Sequence, residues 1–352
     1  MTKNYGVLIE SKKSDFVAGA ESGVKYKEIN ASGNWGEFLP STERQYLIGF
    51  DTMSCVSFSA LNIIEIQVNF MVATKMLSDE KVKLLADWGF FDGNGKFNCS
   101  DRFTAKMSGT TQQGNSGQRV WDSIRKDGLV PEKMWSQVGV KDWNEWMAEI
   151  PQDVKNFAKN ILTIFDFDYE WIVQGNCGFA DLGLLSSHLR QAPLQLMAPV
   201  CGRDETGLSN PCGSCFTQHA TTLYAIGDVL SQYDHYEPFI RRLSLKYTMP
   251  YILKGVVSIK QPAPTPVVAP FLHQFYQTMR LGERSAEVLW LQKALIKLGF
   301  KTYETGYYGD WTRQAVIDLQ KKYGIATLAD ILFINGRWVG PQTRIKLNQL
   351  FS

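Results

Sequence analysis

The stretch at residues 51–77 restricts most strongly the folds that this chain can adopt. After Cys55 nearly every residue is apolar, and polar residues recur at helical spacing at Asn62, Glu65 and Asn69. A helix with one narrow polar stripe buries most of its surface, so we predict a central helix of the core. Residues 56–60 alternate in the manner of a strand, but the alternation stops there, so the helix is the preferred interpretation.

Cys55 lies at the start of this predicted helix, just after the good capping residues Asp51, Thr52 and Ser54. In a first helical turn, free backbone N–H groups and the positive end of the helix dipole favour a thiolate. A single cysteine beside an apolar run is more often a small core residue. Its position alone therefore leaves both interpretations open.

Length and composition indicate a globular chain of two domains, with 352 residues of which 44% are apolar. The net charge of +2 is too balanced to predict binding to nucleic acid or to an anionic membrane. The first residues lack an apolar segment followed by a small-residue cleavage site, so we predict synthesis in the cytoplasm without a signal peptide. The polar residues of the central helix argue against a membrane span.

The cysteines do not form an obvious framework. Setting Cys55 aside leaves an odd number in a chain without a predicted export signal, so we predict free thiols rather than disulfides. The C-x-x-C of Cys212 and Cys215, together with Cys201 and Cys177, could instead hold zinc. A strong zinc site has a second C-x-x-C, which is missing here. We predict no metal and no cofactor.

The remaining pattern mixes helices and strands. Helical spacing recurs in several segments, and two apolar runs between turn signals are typical of strands. The predicted helices are at residues 78–91, 118–126, 142–172 and 181–191, and the predicted strands are at 193–200 and from His219 onward.

Several segments resemble papain-like cysteine peptidases. CVSFSALNIIE, which begins at Cys55, resembles the family's nucleophile segment C-W-A-F-S-A…E, with Val56 in place of the tryptophan. A loop with Gly109, Gly114 and Gly117, followed by W-D-S-I, resembles the family's glycine loop, which pairs with the substrate backbone. PYILKGV resembles the strand that ends the family's domain.

The resemblance continues in the segment that would carry the catalytic base. HATTLYAIGD, which begins at His219, resembles the family's H-A-V…G-Y-G strand, and LSQYDHYEPF places Asp234 where the family has an orienting asparagine. The resemblance therefore implies Cys55 as nucleophile, His219 as base and Asp234 as the residue that orients the imidazole. The local CGSCF also matches the nucleophile motif, but Cys215 precedes a strand-like run and lies too close to His219, so we interpret it as a decoy.

The oxyanion hole is the least regular part of this resemblance. The family has a glutamine six residues before the nucleophile, and Gly49 occupies that position here. Gln45 is the nearest candidate. If Gln45 does not reach the site, the donors would be the Cys55 N–H and Thr52.

A proline-rich segment, QPAPTPVVAP, predicts an extended linker at residues 259–278. Residues 279–352 carry helical patterns at 284–298, 312–322 and 341–350. The motifs V-L-x-L-Q-x-x-L-x-x-L-G-F, G-Y-Y-G-x-x-T and W-V-G-P-x-T resemble the type 1 peptidoglycan-binding domain. Four aromatic residues could form the wall-contacting surface or serve the core equally well: Tyr307, Tyr308, Trp311 and Trp338.

Together these features predict an α+β fold of papain-like, two-lobed type at residues 1–258, with a helical lobe and a β-rich lobe, followed by a three-helix peptidoglycan-binding domain. The resemblance implies a cysteine peptidase whose partners are bacterial peptidoglycan and a peptide substrate. Without a signal peptide, it would reach the cell wall as a phage endolysin or a virion-associated lysin. Two alternatives stay open: a peptidase of ordinary proteins anchored at the wall, and a catalytically inactive wall-binding protein.

Overall fold

The computed structural model describes residues 6–9, 27–179, 181–260, 273–325, 327, 330 and 333–351. The chain divides into two compact units, Met1–Lys260 and Gln261–Ser352. The proline-rich segment lies within residues 261–272, outside the described residues, so the linker stays a prediction.

The first unit contains both helices and strands, and its helices come mainly first along the chain. The α-helices are α1 (Cys55–Ala73), α2 (Asp79–Trp88), α3 (Asp101–Met107), α4 (Gly117–Asp127), α5 (Trp143–Trp146), α6 (Gln152–Ala158) and α7 (Leu182–Leu189). Short 3₁₀ turns cover Gly36–Phe38, Glu132–Met134 and Lys159–Thr163.

Helix α1 is the predicted central helix, and every residue from Cys55 to Met71 is buried. Its polar stripe forms hydrogen bonds inside the protein, because Glu65 accepts the Cys99 N–H at 2.8 Å and Asn69 accepts the Phe97 N–H at 2.8 Å. Within the described part of the chain, α1 alone is long and apolar enough to span a membrane, and 94% of its apolar window is buried inside the protein.

The strands form one large sheet and two small two-stranded sheets. The strands of the first unit are β1 (Tyr46–Leu47), β2 (Phe50–Asp51), β3 (Phe165–Gln174), β4 (Leu194–Ala198), β5 (Leu208–Ser209), β6 (His219–Ile226), β7 (Leu230–Tyr233), β8 (Ile240–Leu243) and β9 (Tyr251–Ile259). β1 pairs with β2, and the seven-stranded sheet has the order β3-β9-β4-β6-β7-β8-β5. Its pairs are antiparallel, except that β5 runs parallel to β8.

The helix predicted at 142–172 is wrong in its last part. Residues 165–174 form strand β3, which pairs with β9. Phe165, Phe167, Tyr169 and Trp171 are buried at alternate positions, which is the period of a strand rather than of a helix. The aromatic content concealed this alternation, and pairing along the length of β9 stabilises the strand.

The prediction of free thiols is also wrong. Cys177 is bridged to Cys215, and Cys201 is bridged to Cys212. Strands β4 and β6 are neighbours in the sheet, so the chain between them turns back and brings Cys201 and Cys212 together, while Cys215 of the same segment meets Cys177 in the loop after β3. The pairing excludes the zinc site considered for the C-x-x-C, and it leaves Cys215 without the free thiol of a nucleophile. The free cysteines among the described residues are Cys55 and Cys99, both buried.

The second unit is mainly helical. Its elements are β10 (Met279–Arg280), α8 (Ala286–Lys297), α9 (Asp310–Lys322), β11 (Trp338–Val339) and α10 (Pro341–Leu350). The buried Gln292 of α8 organises the adjacent loop, because its Oε1 accepts the N–H groups of Thr305 and Gly306 while its Nε2 donates to Thr312 Oγ1. The three predicted helices are therefore present, joined by loops that a buried amide holds in place.

A group of buried carboxyls lies on the helical side of the first unit. Burial raises the pKa values of Glu65 on α1 and Asp101 on α3 well above the usual range. Asp101 shares a hydrogen bond with the carboxyl of Glu43. Burial and the nearby Glu43 also raise the pKa of Glu132 to about 8. The folded chain thus favours protonated carboxyls at this place.

This group predicts a stability that falls as the pH rises. A glutamate in an unfolded chain titrates at about pH 4.3. The folded state holds the Glu132 proton more tightly, because the folded pKa is about 8. The stability from this group is therefore full below the unfolded pKa and decreases as the pH rises towards the folded pKa. We expect Glu132→Gln to raise the free energy of unfolding at pH 7 by about 1–3 kcal/mol. Urea unfolding at pH 5 and pH 7.5 measures this, with exposed Glu80→Gln as control. Equal stability of the wild type at both pH values would contradict the expectation.

Candidate active site

The hairpin of β6 and β7 brings His219 and Asp234 together. His219 is the first residue of β6, and Asp234 directly follows the last residue of β7. The two strands are antiparallel, so the start of one and the end of the other lie at the same end of the hairpin. His219 Nε2 is 2.8 Å from Asp234 Oδ1, and both side chains are buried.

Asp234 is held as a carboxylate by several partners. Its Oδ1 also accepts the backbone N–H of His235 at 2.7 Å, and its Oδ2 lies 2.7 Å from Arg241 Nε. Burial alone would raise the pKa of Asp234, but His219, His235 and Arg241 outweigh it and hold that pKa well below the usual range. Arg241 and its ion pair with Asp234 were missed in the sequence, since no local pattern connects two residues on different strands.

Cys55 is the first residue of α1, which packs against β6. Its thiol accepts hydrogen bonds from the backbone N–H groups of Ala220, the neighbour of His219, and of Val56. Cys55 is 0% exposed, and this burial raises the pKa of the thiol above its usual value, although the two N–H groups lower it. The thiolate expected from the helix N-terminus is therefore not the favoured form in this buried state.

The described N-terminal segment, residues 6–9, lies between the start of α1 and the glycine loop. Asn115 N–H donates to the Gly6 carbonyl at 2.9 Å, and Leu8 N–H donates to the Asn115 carbonyl at 2.7 Å. A Cβ atom on Gly6 would lie 2.3 Å from the carbonyl oxygen of Met53, two residues before Cys55. The backbone edge that the resemblance assigns to substrate is thus paired with the chain's own segment.

We expect Gly6→Val to uncover Cys55. Gly6 has φ +111°, and the added side chain would meet Met53 backbone, so the substitution disfavours the covered state by about 1–3 kcal/mol. Alkylation of Cys55 by iodoacetamide, followed by mass spectrometry of the peptide that contains it, should become about 10- to 100-fold faster. The matched control is Gly93→Val, because a Cβ there meets nothing within 4 Å. An unchanged rate in a natively folded Gly6→Val chain would show that residues 6–9 do not limit access.

The three predicted substrate-binding glycines have different positions. Gly114, with φ +103°, lies directly against the Gly6 backbone. Gly109 closes the turn after α3, where its N–H donates to the Lys106 carbonyl. Gly117 begins α4, and a Cβ on it would lie 2.4 Å from Met197 Cε. Of the three glycines, only Gly114 lies against residues 6–9. Gly109 belongs to a turn, and Gly117 packs against Met197.

Gln45 is fully buried, and its side-chain amide is directed at a carboxylate. Gln45 Nε2 donates to Asp51 Oδ1 at 2.8 Å, and Tyr236 Oη donates to Asp51 Oδ2 at 2.5 Å. The Tyr236 ring in turn packs edge-on against His219, with 5.3 Å between ring centroids. In this state Gln45 therefore positions Asp51. The Thr52 hydroxyl is buried and has no hydrogen-bond partner among the described residues.

His235 adds a third buried polar side chain beside the pair. His219, Asp234 and His235 can each offer one ligand atom, and these atoms lie within 4.8 Å of one another, so the group could hold a metal ion. Asp234 is already paired with the Arg241 guanidinium, and a second cation there would be repelled. Burial lowers the pKa of His235 to about 3, which keeps this imidazole neutral. We therefore interpret His219 and Asp234 as an acid–base pair.

An open cleft of about 500 Å³ lies next to this pair. His219 and Tyr236 line it, together with Glu237 and with Arg44, Arg203 and Arg241. Arg44 is paired with Glu237, and Arg241 is paired with Asp234. Guanidinium groups bind carboxylates with paired hydrogen bonds, so this cleft suits a ligand that carries negative charge.

The candidate wall-contacting aromatics of the second unit divide into two kinds. Tyr308 is 0% exposed and donates to the Gly336 carbonyl, so its assignment to a contact surface is wrong. Its ring fills the core of the unit. Tyr307, Trp311 and Trp338 are 43%, 52% and 43% exposed and can touch a ligand.

Comparison with known protein families identifies part of the second unit. Residues 284–327 match the family described as putative peptidoglycan binding domain, so the chain carries such a domain near its C-terminus. No curated protein matches the sequence. The α+β fold class, with a helical peptidoglycan-binding domain, is confirmed.

Among solved structures, the chain is similar to xylellain, a cysteine protease from Xylella fastidiosa, at 15% identity and TM-score 0.47, covering 74% of this chain and 97% of that one. It is also similar to procathepsin L 3 of the Tenebrio molitor larval midgut, at 12% identity and TM-score 0.39, covering 72% and 75%. A structure concerning the mite allergens Blo t 1 and Der p 1 matches at 11% identity and TM-score 0.40, covering 68% and 75%.

Proposed function

We propose that this protein is a cysteine peptidase that cleaves peptide bonds of peptidoglycan, with Cys55 as nucleophile, His219 as base and Asp234 as the residue that orients the imidazole. One observation carries the proposal: a cysteine at the start of a buried helix is hydrogen bonded to Ala220, directly beside a His219–Asp234 pair. The free Cys99 has no such neighbour, since an acidic residue, Glu65, dominates its charged surroundings.

The reaction needs a proton relay between sulfur and the leaving group. Asp234 accepts the N–H of His219 Nε2, so Nδ1 is the ring nitrogen that takes the Cys55 proton. The thiolate attacks the scissile carbonyl, and the imidazolium returns the proton to the leaving amine, which yields a thioester. Water then attacks the thioester with His219 as base, and releases the free carboxyl product and the thiol.

The oxyanion formed in both steps needs hydrogen-bond donors. The N–H of Cys55 lies at the start of α1, where helical N–H groups have no partner within the helix. The Thr52 hydroxyl is a second candidate, and Gln45 becomes a third if it releases Asp51 when residues 6–9 separate from Asn115.

The charge of the cleft and the second unit favour peptidoglycan as substrate. Stem peptides carry free carboxylates, which match Arg203 in the cleft. A wall-binding domain raises the local concentration of the substrate without new contacts in the cleft. The two disulfides suit a protein that acts in an oxidising place outside the cytosol. A lysin released at lysis or carried in a virion fits these features.

Mass spectrometry of purified peptidoglycan sacculi tests the proposal. Sacculi incubated with the wild-type chain should acquire new free amines and carboxyls, and sacculi incubated with Cys55→Ala should not. The new termini identify the bond. Undigested sacculi together with cleaved casein would favour a peptidase of ordinary proteins. Binding to sacculi without cleavage of either substrate would favour an inactive wall-binding protein.

A further inference from the structure

A second open cavity adjoins the arginine-lined cleft. It has a volume of about 760 Å³, and Arg44 lines both spaces. The short hairpin of β1 and β2 lies between them, with Tyr46 on the side of the cleft and Leu47 on the side of the cavity. A peptide that extends from the cleft across this hairpin would therefore enter the cavity.

Carboxyl and amide oxygens form one end of the cavity. Glu43, Glu132 and Gln137 line it. Glu132 Oε1 accepts from Ser136 Oγ at 2.7 Å and from the Gln137 N–H at 2.8 Å. In contrast, Glu132 Oε2 and Gln137 Oε1 are buried without a hydrogen-bond partner among the described residues. Gln137 is 8% exposed, so an acceptor that is nine-tenths buried is left for a donor from a ligand.

The carboxyls at this end crowd one another, so burial and mutual repulsion favour their protonated forms. Glu65 and Asp101 lie close enough to Glu43 to raise the pKa values discussed above. The guanidinium of Arg102 attracts Glu132, but its hydrogen bonds go to the carbonyls of Ser136, Glu145 and Trp146. Two cations also line the cavity: Lys141, and Arg44, which is paired with Glu237. A cationic group placed between Glu43 and Glu132 would offset this repulsion and lower the pKa of Glu132, so that Glu132 ionises as the cation binds.

Apolar side chains form the walls. Leu47, Ile48, Val138 and Val140 line the cavity, and Ile48 and Val138 are 96% and 85% exposed. Exposed apolar residues around a polar end mark a binding surface. The combination matches a ligand with an aliphatic chain that ends in a cation.

A metal ion fits this cavity less well. Metal sites bring several ligand atoms within a few ångströms of one another, and the described part of the chain has such a group of acidic or histidine residues only at His219, Asp234 and His235. The carboxyls of the cavity do not meet that criterion. Its volume also suits a side chain better than an ion.

We propose that this cavity is a subsite for a primary ammonium group at the end of an aliphatic side chain on the peptide substrate, with Glu132, Glu43 and Gln137 as the acceptors. This inference rests on the proposed peptidase function and adds the substrate class to it: a peptide with a free lysine-like amine on one side of the scissile bond and a carboxylate bound by Arg203 of the cleft. The three donors of an ammonium group would satisfy the two unpartnered oxygens.

Binding to the uncleaving Cys55→Ala chain tests the subsite without turnover. The probes are the peptide N-acetyl-Ala-Lys-Ala-amide and the same peptide with an Nε-acetylated lysine, titrated while the backbone amide signals of Gly139 and Val140 are followed by NMR. We expect the free amine to bind about tenfold or more tightly than the acetylated peptide, since hydrogen bonds to charged groups dominate such contacts. Glu132→Gln and Glu43→Gln should each reduce this preference, whereas Glu80→Gln on exposed α2 should keep it.

Equal affinity for the two peptides, or a preference that persists in Glu132→Gln and Glu43→Gln, would overturn the subsite. Calcium ions that shift the same signals and displace the amine would also overturn it, in favour of a metal site. The result is separable from the peptidase proposal. Amine-dependent binding in a chain that cleaves no wall would refute the peptidase alone, and wall cleavage without amine preference would refute the subsite alone.

Discussion

Replacing Cys55 by alanine is expected to lower the rate of peptide-bond cleavage by about 10⁴- to 10⁶-fold, because removal of the nucleophile of a catalytic triad abolishes the covalent pathway. Of the two free cysteines among the described residues, Cys55 is the one whose thiol is hydrogen bonded to Ala220, the neighbour of His219 in the His219–Asp234 pair. Release of new amines from sacculi, quantified with an amine-reactive dye, measures the loss.

The other free cysteine provides the matched control. Cys99 is equally buried and belongs to the same unit. Its backbone N–H, however, donates to Glu65, which lies further along α1 than Cys55. Cys99→Ala should therefore keep full activity, with a stability loss of the size expected for a small cavity. If the two substitutions inactivate the protein equally, the loss of activity in Cys55→Ala would be due to unfolding and not to removal of the nucleophile.

Replacing Asp234 by alanine is expected to lower both activity and stability. The substitution leaves the Arg241 guanidinium without its buried partner, which typically costs about 3–5 kcal/mol in the free energy of unfolding. It also removes the acceptor that orients His219, and loss of the third triad member costs about 10²- to 10⁴-fold in rate. Urea unfolding and the sacculus assay measure the two effects separately.

Asp234→Asn distinguishes orientation from charge. Asparagine keeps an oxygen for His219 Nε2, so activity should exceed that of Asp234→Ala. Because the pKa of Asp234 is held below its usual range, this carboxylate contributes stability above about pH 4 that is lost as the pH falls further. The asparagine variant should therefore lose less stability between pH 5 and pH 3 than the wild type. An equal loss of stability between pH 5 and pH 3 in both proteins would show that Asp234 does not cause the loss.

Local patterns in the sequence were sufficient for the elements that carry the site. The spacing of Asn62, Glu65 and Asn69 predicted a buried helix behind Cys55, and α1 has this form. The apolar run after His219 predicted a strand, and β6 begins at that residue. Both signals are periodic over many residues, and burial of one continuous face is a strong physical constraint.

Patterns that depend on distant partners were missed. Strand β3 is stabilised by β9, about eighty positions away, and its aromatic alternation was overlooked beside helical neighbours. The disulfides join loops after β3 and β4 to the loop before His219, and spacing in the sequence does not report such distances. The pairing of residues 6–9 with Asn115 and the ion pair of Arg241 with Asp234 are of the same kind.

The sequence by itself determined the central helix, the strand of His219 and the motifs of a peptidoglycan-binding domain, because these depend on residues close together along the chain. Only the tertiary structure decided that Cys55 is covered and neutral, that Gln45 is directed at Asp51, and that Tyr308 belongs to the core. Burial, hydrogen-bond choice and pKa are set by whatever packs against a side chain, and those neighbours come from distant parts of the chain.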